Sequence, residues 1–132
     1  MKDVKHCLDR DRFASHCNIE LVSVEIGHAR ARMTLQDHHL NGVGIVQGGA
    51  IFTLADFAFA AASNSHGTVA VAVNVSISFL KAVSSGTLHA EAKEIARSSK
   101  LGSYTVEVRD EQNELVALFQ GMAYRKKDPL PR

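Results

Sequence analysis

The stretch that decides the fold is Gly48–Asn64, which reads GGAIFTLADFAFAAASN. It predicts an apolar helix that begins at two glycines and carries a single carboxylate, Asp56. A helix that is apolar on all sides must be surrounded by other elements, so this segment is predicted to lie at the centre of the core. Because an ionised carboxylate is costly to bury without partners, Asp56 is a candidate functional residue.

Alternating hydrophobic residues predict strands on both sides of this helix. Residues 19–35 predict a hairpin, and Val69–Leu80 predicts the clearest strand, with large residues on one face and small or polar ones on the other. Three further strands are predicted at 86–97, 102–110 and 114–125. This order predicts an α+β domain in which an antiparallel sheet packs on one long helix, and we expect residues 1–132 to form a single domain.

The N-terminal segment, residues 3–16, predicts a short amphipathic helix in which Val4, Leu8 and Phe13 share one face. It contains no apolar region of the kind found in a secretory signal. The chain has only two cysteines, which fits a reducing compartment. Together these features predict a cytoplasmic protein.

Composition and spacing exclude several classes of function. The net charge is +1 and the basic residues are scattered, so neither nucleic acid nor an anionic membrane surface is an expected partner. The longest apolar run, Ala50–Ala62, is too short to span a bilayer and contains Asp56. Two His-Cys pairs face different sides of a helix and match no zinc spacing, so no metal site is expected. Four other histidines are expected at solvated loop and strand positions: His38, His39, His66 and His89.

The loop before the helix, Asn41–Gly49, does not fit a nucleotide-binding motif, because Gln47 stands where a G-x-G-x-x-G fingerprint needs its third glycine. The unpaired N–H groups at a helix N-terminus can instead polarise a carbonyl oxygen, and Gly48 and Gly49 let a ligand approach closely. Asp56 lies ~10 Å further along the helix, too far to reach the same atom. A second copy of the chain could bring its own Asp56 alongside, which predicts a site shared by two chains.

The segment Asn41–Gly67, NGVGIVQGGAIFTLADFAFAAASNSHG, resembles the core motif of hotdog-fold acyl-CoA thioesterases, most closely the phenylacetate-pathway, or PaaI-type, branch. The order of elements extends this resemblance over nearly the whole chain. It implies a hotdog fold, with a curved antiparallel sheet wrapped around one long central helix. It also implies an acyl-CoA substrate, a homodimer with a continuous sheet, pairing of dimers into a homotetramer, and a site at the dimer interface.

The resemblance also implies roles for four residues. Asp56 falls on the catalytic carboxylate, acting as general base on water or as nucleophile, and Gly48 falls on the residue whose N–H polarises the thioester carbonyl. Asn41 falls on the residue that orients that carbonyl or the water. Gln47 replaces the usual histidine before the glycine pair; glutamine can donate a hydrogen bond, but it carries no proton to transfer at neutral pH.

Further substrate-binding and CoA-binding residues follow from the same resemblance. Some relatives place a serine that holds the attacking water at the position of Ala72, and Asn74, expected on the same strand face, is a substitute for it. Arg97 and Lys100 lie in a region that contacts the nucleotide end of CoA in relatives, although a solvated polar hairpin is the alternative there. The predicted binding set is Gly49, Val46, Phe52, Asn74, Lys81, Arg97 and Lys100, and no cofactor is expected.

Three functions remain open at this point. The leading hypothesis is hydrolysis of an acyl- or aryl-acyl-CoA to free acid and CoA. The first alternative is a non-catalytic acyl-CoA-binding hotdog module, in which Gln47 and Ala72 mark a lost site; a retained carboxylate at Asp56 argues against it. The second is a hotdog dehydratase or hydratase, which is less favoured because such chemistry usually pairs a histidine with an acid.

Overall fold

The computed structural model describes residues 1–132 and contains one antiparallel six-stranded sheet packed on one long helix. The helices are α1 (Lys2–Asp9), α2 (Arg12–His16) and α3 (Gly48–Ser63), with short 3₁₀ helices at Asp37–His39 and Asn64–His66. The strands are β1 (Ile19–Glu25), β2 (His28–Thr34), β3 (Thr68–Phe79), β4 (Thr87–Arg97), β5 (Leu101–Arg109) and β6 (Leu115–Pro129). Their order in the sheet is β1-β2-β4-β5-β6-β3, which confirms the predicted α+β arrangement.

The core lies between α3 and the inner face of the sheet. Small residues of the helix, among them Ala55, Ala58 and Ala62, are fully buried and let the strands approach closely. Phe59 fills the space between, with its ring centroid 5.5 Å from those of both Tyr104 and Phe119. The predicted central position of this helix is therefore confirmed on its sheet-facing side.

One stripe of α3 is not covered by the rest of the chain. Gly49 is exposed, and Phe52, Thr53, Asp56 and Ala60 are only partly buried. These positions repeat every three or four residues, so they lie along one face of the helix. The expectation that the helix is surrounded on all sides is wrong for a single chain, and Asp56 lies on the face that remains open.

A β-bulge at Val73 interrupts the regular alternation of β3. Ala72 pairs with the buried Ala123, whereas Asn74 pairs with Met122, which is 37% exposed on the outer face. Directly paired residues of an antiparallel sheet point to the same side. Ala72 and Asn74 therefore point to opposite faces, and the prediction that Asn74 substitutes for a residue at position 72 is wrong.

β3 is also an edge strand, since it pairs only with β6. Much of its twelve-residue length is exposed, including the side chains of Val71, Val73 and Phe79. A long apolar edge with unpaired backbone groups is a template for pairing with another strand.

The N-terminal segment forms two helices rather than one. The first ends at Asp9 with Arg10 as its C-cap, and Asp11 caps α2 by accepting a hydrogen bond from the Ala14 N–H. Val4 and Leu8 are buried as predicted, but Phe13 is 65% exposed, so the three do not share one face. None of the helices is long and apolar enough to cross a membrane.

Candidate active site

The N-terminus of α3 presents one free backbone donor. Gln47 is the N-cap, and its side-chain Oε1 accepts a hydrogen bond from the Gly49 N–H. The Ala50 N–H donates to the Gln47 carbonyl at 2.9 Å. The Gly48 N–H has no acceptor within the chain, so it is available to bind an oxygen atom at the positive end of the helix.

At Gly48 a side chain is disfavoured by the space available rather than by backbone conformation. Its φ is not positive, but a Cβ built on it would lie 3.1 Å from Cζ of Phe79. The Phe79 ring therefore lies against the free amide. Sequence reasoning assigned Phe79 only to a strand face, and no local signal links it to Gly48, because β3 and α3 meet only in the folded chain.

Asn41 shapes the loop that precedes the helix. Its Oδ1 accepts hydrogen bonds from the Val43 N–H at 3.0 Å and the Ile45 N–H at 3.3 Å. Its side-chain NH₂ donates no hydrogen bond within the chain and remains able to contact a ligand. Val46, predicted to contact substrate, is instead buried, and its N–H donates to the Val83 carbonyl at 2.8 Å.

Asp56 lies half-buried on the open stripe of α3 and accepts no hydrogen bond within the chain. Burial raises the pKa of its carboxyl group, and the nearby negative charge of Asp11 raises it further. A carboxylate in this state is a better proton acceptor than one in water. Asp56 lies ~12 Å along the helix from Gly48, so one chain does not bring both groups to the same atom.

A cleft of about 700 Å³ opens beside Gln47 and Gly49. Phe13 of α2, His38 of the first 3₁₀ helix and Phe52 of α3 contribute to its walls. Its size lies in the usual range for small-molecule sites. The cleft lies on the uncovered side of the α3 N-terminus. Two of the predicted binding residues, Gly49 and Phe52, line it.

Lys81 is held away from the role predicted for it. Its ammonium group contacts Asp110 and Glu114 at 2.6 Å each. Hydrogen bonds to these two carboxylates raise the pKa of Lys81, and the Lys81 ammonium lowers that of Asp110. Because its ammonium group is paired with two carboxylates, Lys81 stabilises the turn between β5 and β6 and is not a free cation for a phosphate group.

Arg97 and Lys100 lie beyond the opposite end of α3. Arg97 contacts Nδ1 of His66, whose Nε2 lies 2.8 Å from Glu94. The Arg125 N–H donates to the Lys100 carbonyl at 2.7 Å, which brings the basic end of β6 beside the β4–β5 hairpin. We call the resulting group the basic cluster; its members are Arg97, Lys100, Arg125, Lys126 and Lys127. The last three were missed, although the run RKK in the sequence was a visible signal.

Two of the histidines expected to be solvated are not. His39 is 2% exposed, and the side chain of His66 is 10% exposed and paired with Glu94. Cys17, which accepts from His39, and Glu94, which pairs with His66, come from distant parts of the chain, so the neighbouring polar residues did not reveal the burial of either ring.

A protein-family model described as the thioesterase superfamily matches residues 43–117. The chain belongs to the thioesterase superfamily. It is 38% identical over 118 residues to the acyl-coenzyme A thioesterase PaaI of Escherichia coli, a span of 89% of this chain and 84% of that protein. These matches confirm the predicted PaaI-type family and the prediction of a thioester hydrolase.

Solved structures agree with this family. The structure of the E. coli PaaI protein from the phenylacetic acid degradation operon aligns with a TM-score of 0.94 and 34% identity, covering 98% of this chain and 95% of that one. A Streptococcus mutans protein solved with bound acetyl-CoA aligns with a TM-score of 0.81 and 28% identity, covering 85% and 91%. The predicted hotdog fold, a curved sheet around one central helix, is confirmed.

Proposed function

We propose that this protein hydrolyses an acyl-CoA to a free acid and CoA, at a site formed between two copies of the chain. One copy supplies the Gly48 N–H and its partner supplies Asp56. The observation that carries the proposal is the unpaired Gly48 N–H at the start of α3, together with a half-buried, unpartnered carboxylate on the open stripe of the same helix. The acyl-CoA thioesterase activity named for the E. coli relative and the acetyl-CoA bound by the S. mutans protein support the same class of substrate.

The shared site rests on two exposed surfaces that meet at one side of the molecule. The edge of β3 offers unpaired backbone groups, and the open stripe of α3 offers Gly49, Phe52 and Asp56. Pairing of two β3 strands would join the sheets and cover both surfaces. A two-fold axis there would place each Asp56 beside the other chain's Gly48, which the ~12 Å spacing prevents within one chain. Pairing of two such dimers into a tetramer is proposed on the family resemblance.

The proposed reaction needs only water besides the thioester. The carbonyl oxygen accepts a hydrogen bond from the Gly48 N–H, and Asp56 takes a proton from a water molecule whose oxygen attacks the carbonyl carbon. The negative charge that forms on the carbonyl oxygen is stabilised by the same N–H. Collapse of the intermediate breaks the carbon–sulfur bond, and the proton held by Asp56 passes to the sulfur, which leaves as a thiol. A general base typically contributes ~10²–10⁴-fold and one such donor ~10²–10³-fold. In the alternative route Asp56 attacks the carbonyl directly and water then cleaves the anhydride.

The rest of the substrate is assigned to two regions. The acyl group enters the cleft beside Gly49, where Phe13 and Phe52 offer aromatic surface. The phosphates of CoA are assigned to the basic cluster, because Lys and Arg side chains attract and bind phosphate oxygens. Within one chain the cluster lies at the far end of α3 from Gly48, so it serves the site to which that chain contributes Asp56.

The proposal is tested with a panel of acyl-CoA esters and thiol release as the readout. Phenylacetyl, hydroxybenzoyl, short-chain and long-chain esters are compared for the wild type, Asp56→Asn and the exposed control Asp9→Asn. Turnover that falls at least ~100-fold in Asp56→Asn and not in the control supports the proposal. Tight binding of every ester without turnover would indicate a binding module, and hydration of an enoyl ester would indicate a hydratase.

Solvent labelled with ¹⁸O separates the two routes in a single turnover. Direct attack by Asp56 transfers labelled oxygen into the enzyme when the anhydride is cleaved at Asp56. General-base catalysis places the label in the released acid alone.

A further inference from the structure

The imidazole of His39 takes no part in the proposed reaction, yet it is buried and hydrogen-bonded through both nitrogens. Nδ1 accepts from the Gln36 N–H at 2.9 Å, so Nε2 carries the proton and donates to the Cys17 carbonyl at 2.6 Å. Only the neutral ring with its proton on Nε2 satisfies both partners. Replacing such a ring leaves a buried polar group unpaired, which is costly.

The backbone of His39 leads directly to the carbonyl-binding amide. Its carbonyl accepts the Gln47 N–H at 2.8 Å, and the Gln47 side chain caps Gly49. The bridge between Leu40 and Val46 closes the loop between these two points. One residue therefore joins the end of α2, the turn before the first 3₁₀ helix and the residue that precedes α3.

We propose that His39 is a positioning residue for the Gly48 N–H. Its ring holds the residue-39 backbone between Cys17 and Gln36, and that backbone sets the Gln47 cap and the direction of the neighbouring amide. The inference rests on the proposed function, in which that amide binds the thioester carbonyl. A displacement of about 1 Å in a catalytic group can lower the rate ~10²-fold, so His39 affects turnover through the position of the Gly48 amide rather than by taking part in the reaction.

His38 does not share this role, although the two rings stack with centroids 4.2 Å apart. The His38 side chain is exposed and makes no hydrogen bond within the chain. Both residues contribute to the wall of the cleft, but His38 is exposed to solvent whereas His39 is only 2% exposed.

The test uses three substitutions that separate volume from hydrogen bonding. His39→Leu fills similar space with no polar atom, His39→Gln keeps a donor for the Cys17 carbonyl, and His39→Asn keeps an acceptor for the Gln36 N–H. Gln36 is exposed and water can replace its lost partner, whereas Cys17 is partly buried. We therefore expect His39→Gln to be the more active of the two polar variants. His89→Leu, at an exposed position on β4, is the matched control.

We expect His39→Leu to lower kcat ~30–100-fold while KM changes less than ~3-fold, and His39→Gln to recover kcat to within ~5-fold of wild type. The Gly48 and Gly49 amide signals in ¹⁵N-labelled protein are expected to move in His39→Leu and to stay close to wild type in His39→Gln. If His39→Leu does not fold, His39→Asn replaces it in both comparisons.

Unchanged kcat, or a fall in kcat with unmoved Gly48 and Gly49 signals, would overturn the positioning role while leaving the proposed function intact. Absence of thioester turnover in the wild type would instead count against the proposed function. In that case the amide signals alone still decide whether His39 sets the geometry of Gly48.

Discussion

Substitution of Gly48 by alanine isolates the geometry of the carbonyl-binding amide, because alanine keeps the N–H and adds only a methyl group. The added Cβ would lie 3.1 Å from Cζ of Phe79 and 3.5 Å from two further ring carbons. The ring or the amide must therefore yield by a few tenths of an ångström. Phe79 is 53% exposed, so its ring has room to move and the cost in stability stays below the ~1–3 kcal/mol typical of an overpacked core. Turnover is more sensitive, and we expect kcat/KM to fall ~30–100-fold.

The assay is a double-mutant cycle that follows thiol release from an acyl-CoA ester. Phe79→Leu removes the ring carbons nearest to the added methyl group, so Gly48→Ala in that background should cost less than ~5-fold. The difference between the two backgrounds, about sixfold or more, corresponds to a coupling of at least ~1.1 kcal/mol. Gly42→Ala is the matched control, since a Cβ at Gly42 meets nothing within 4 Å.

An equal loss in both backgrounds would refute the steric explanation. So would a Gly42→Ala variant that loses as much activity as Gly48→Ala, because that result would indicate a general sensitivity of the loop.

Four further predictions concern charge. Because burial and Asp11 raise the pKa of Asp56, kcat/KM should fall in acid as Asp56 gains a proton, at a higher pH than for an ordinary aspartate. Asp11→Asn should shift this acid-side fall in kcat/KM to lower pH. If the fall stays at the same pH, Asp56 is not the group whose protonation causes it. The same raised pKa means that ionised Asp56 destabilises the fold as pH rises through the folded pKa, so Asp56→Asn should not lower the Tm at pH 7. Arg125→Ala should raise KM for acyl-CoA several-fold but leave KM for the acyl ester of N-acetylcysteamine, which lacks the nucleotide, unchanged; equal effects on both would remove the basic cluster from the CoA site. Lys81→Met should lower the Tm by leaving Asp110 unpaired, with KM for acyl-CoA unaltered, and a raised KM would restore Lys81 as a phosphate contact.

The parts of this protein that follow from local pattern could be predicted from sequence. The apolar segment Gly48–Asn64 predicts a central helix, and the structure has α3 at Gly48–Ser63. Alternation predicts the strands within a few residues of their observed ends. The segment Asn41–Gly67 was enough to predict the family, because it resembles the core motif of that family along its whole length.

The same patterns misplace residues wherever a partner from elsewhere in the chain decides the outcome. The bulge at Val73 sends Asn74 to the outer face, and it exists only in the pairing of β3 with β6. Lys81 is matched by Asp110 and Glu114, which lie about thirty residues away in sequence. Periodicity carries no information about either contact.

The sequence by itself determined the fold class, the central helix and the identity of the candidate catalytic groups, because these follow from the order of the elements, the periodicity within each, and a motif that resembles a known family. Only the tertiary structure decided that the Phe79 ring lies against Gly48, that His39 is buried, and that Asp56 lies on the one uncovered face of α3. Each of these depends on which surfaces meet when helix and sheet pack. These packing contacts are set by the volume and hydrogen bonding of residues far apart in the chain.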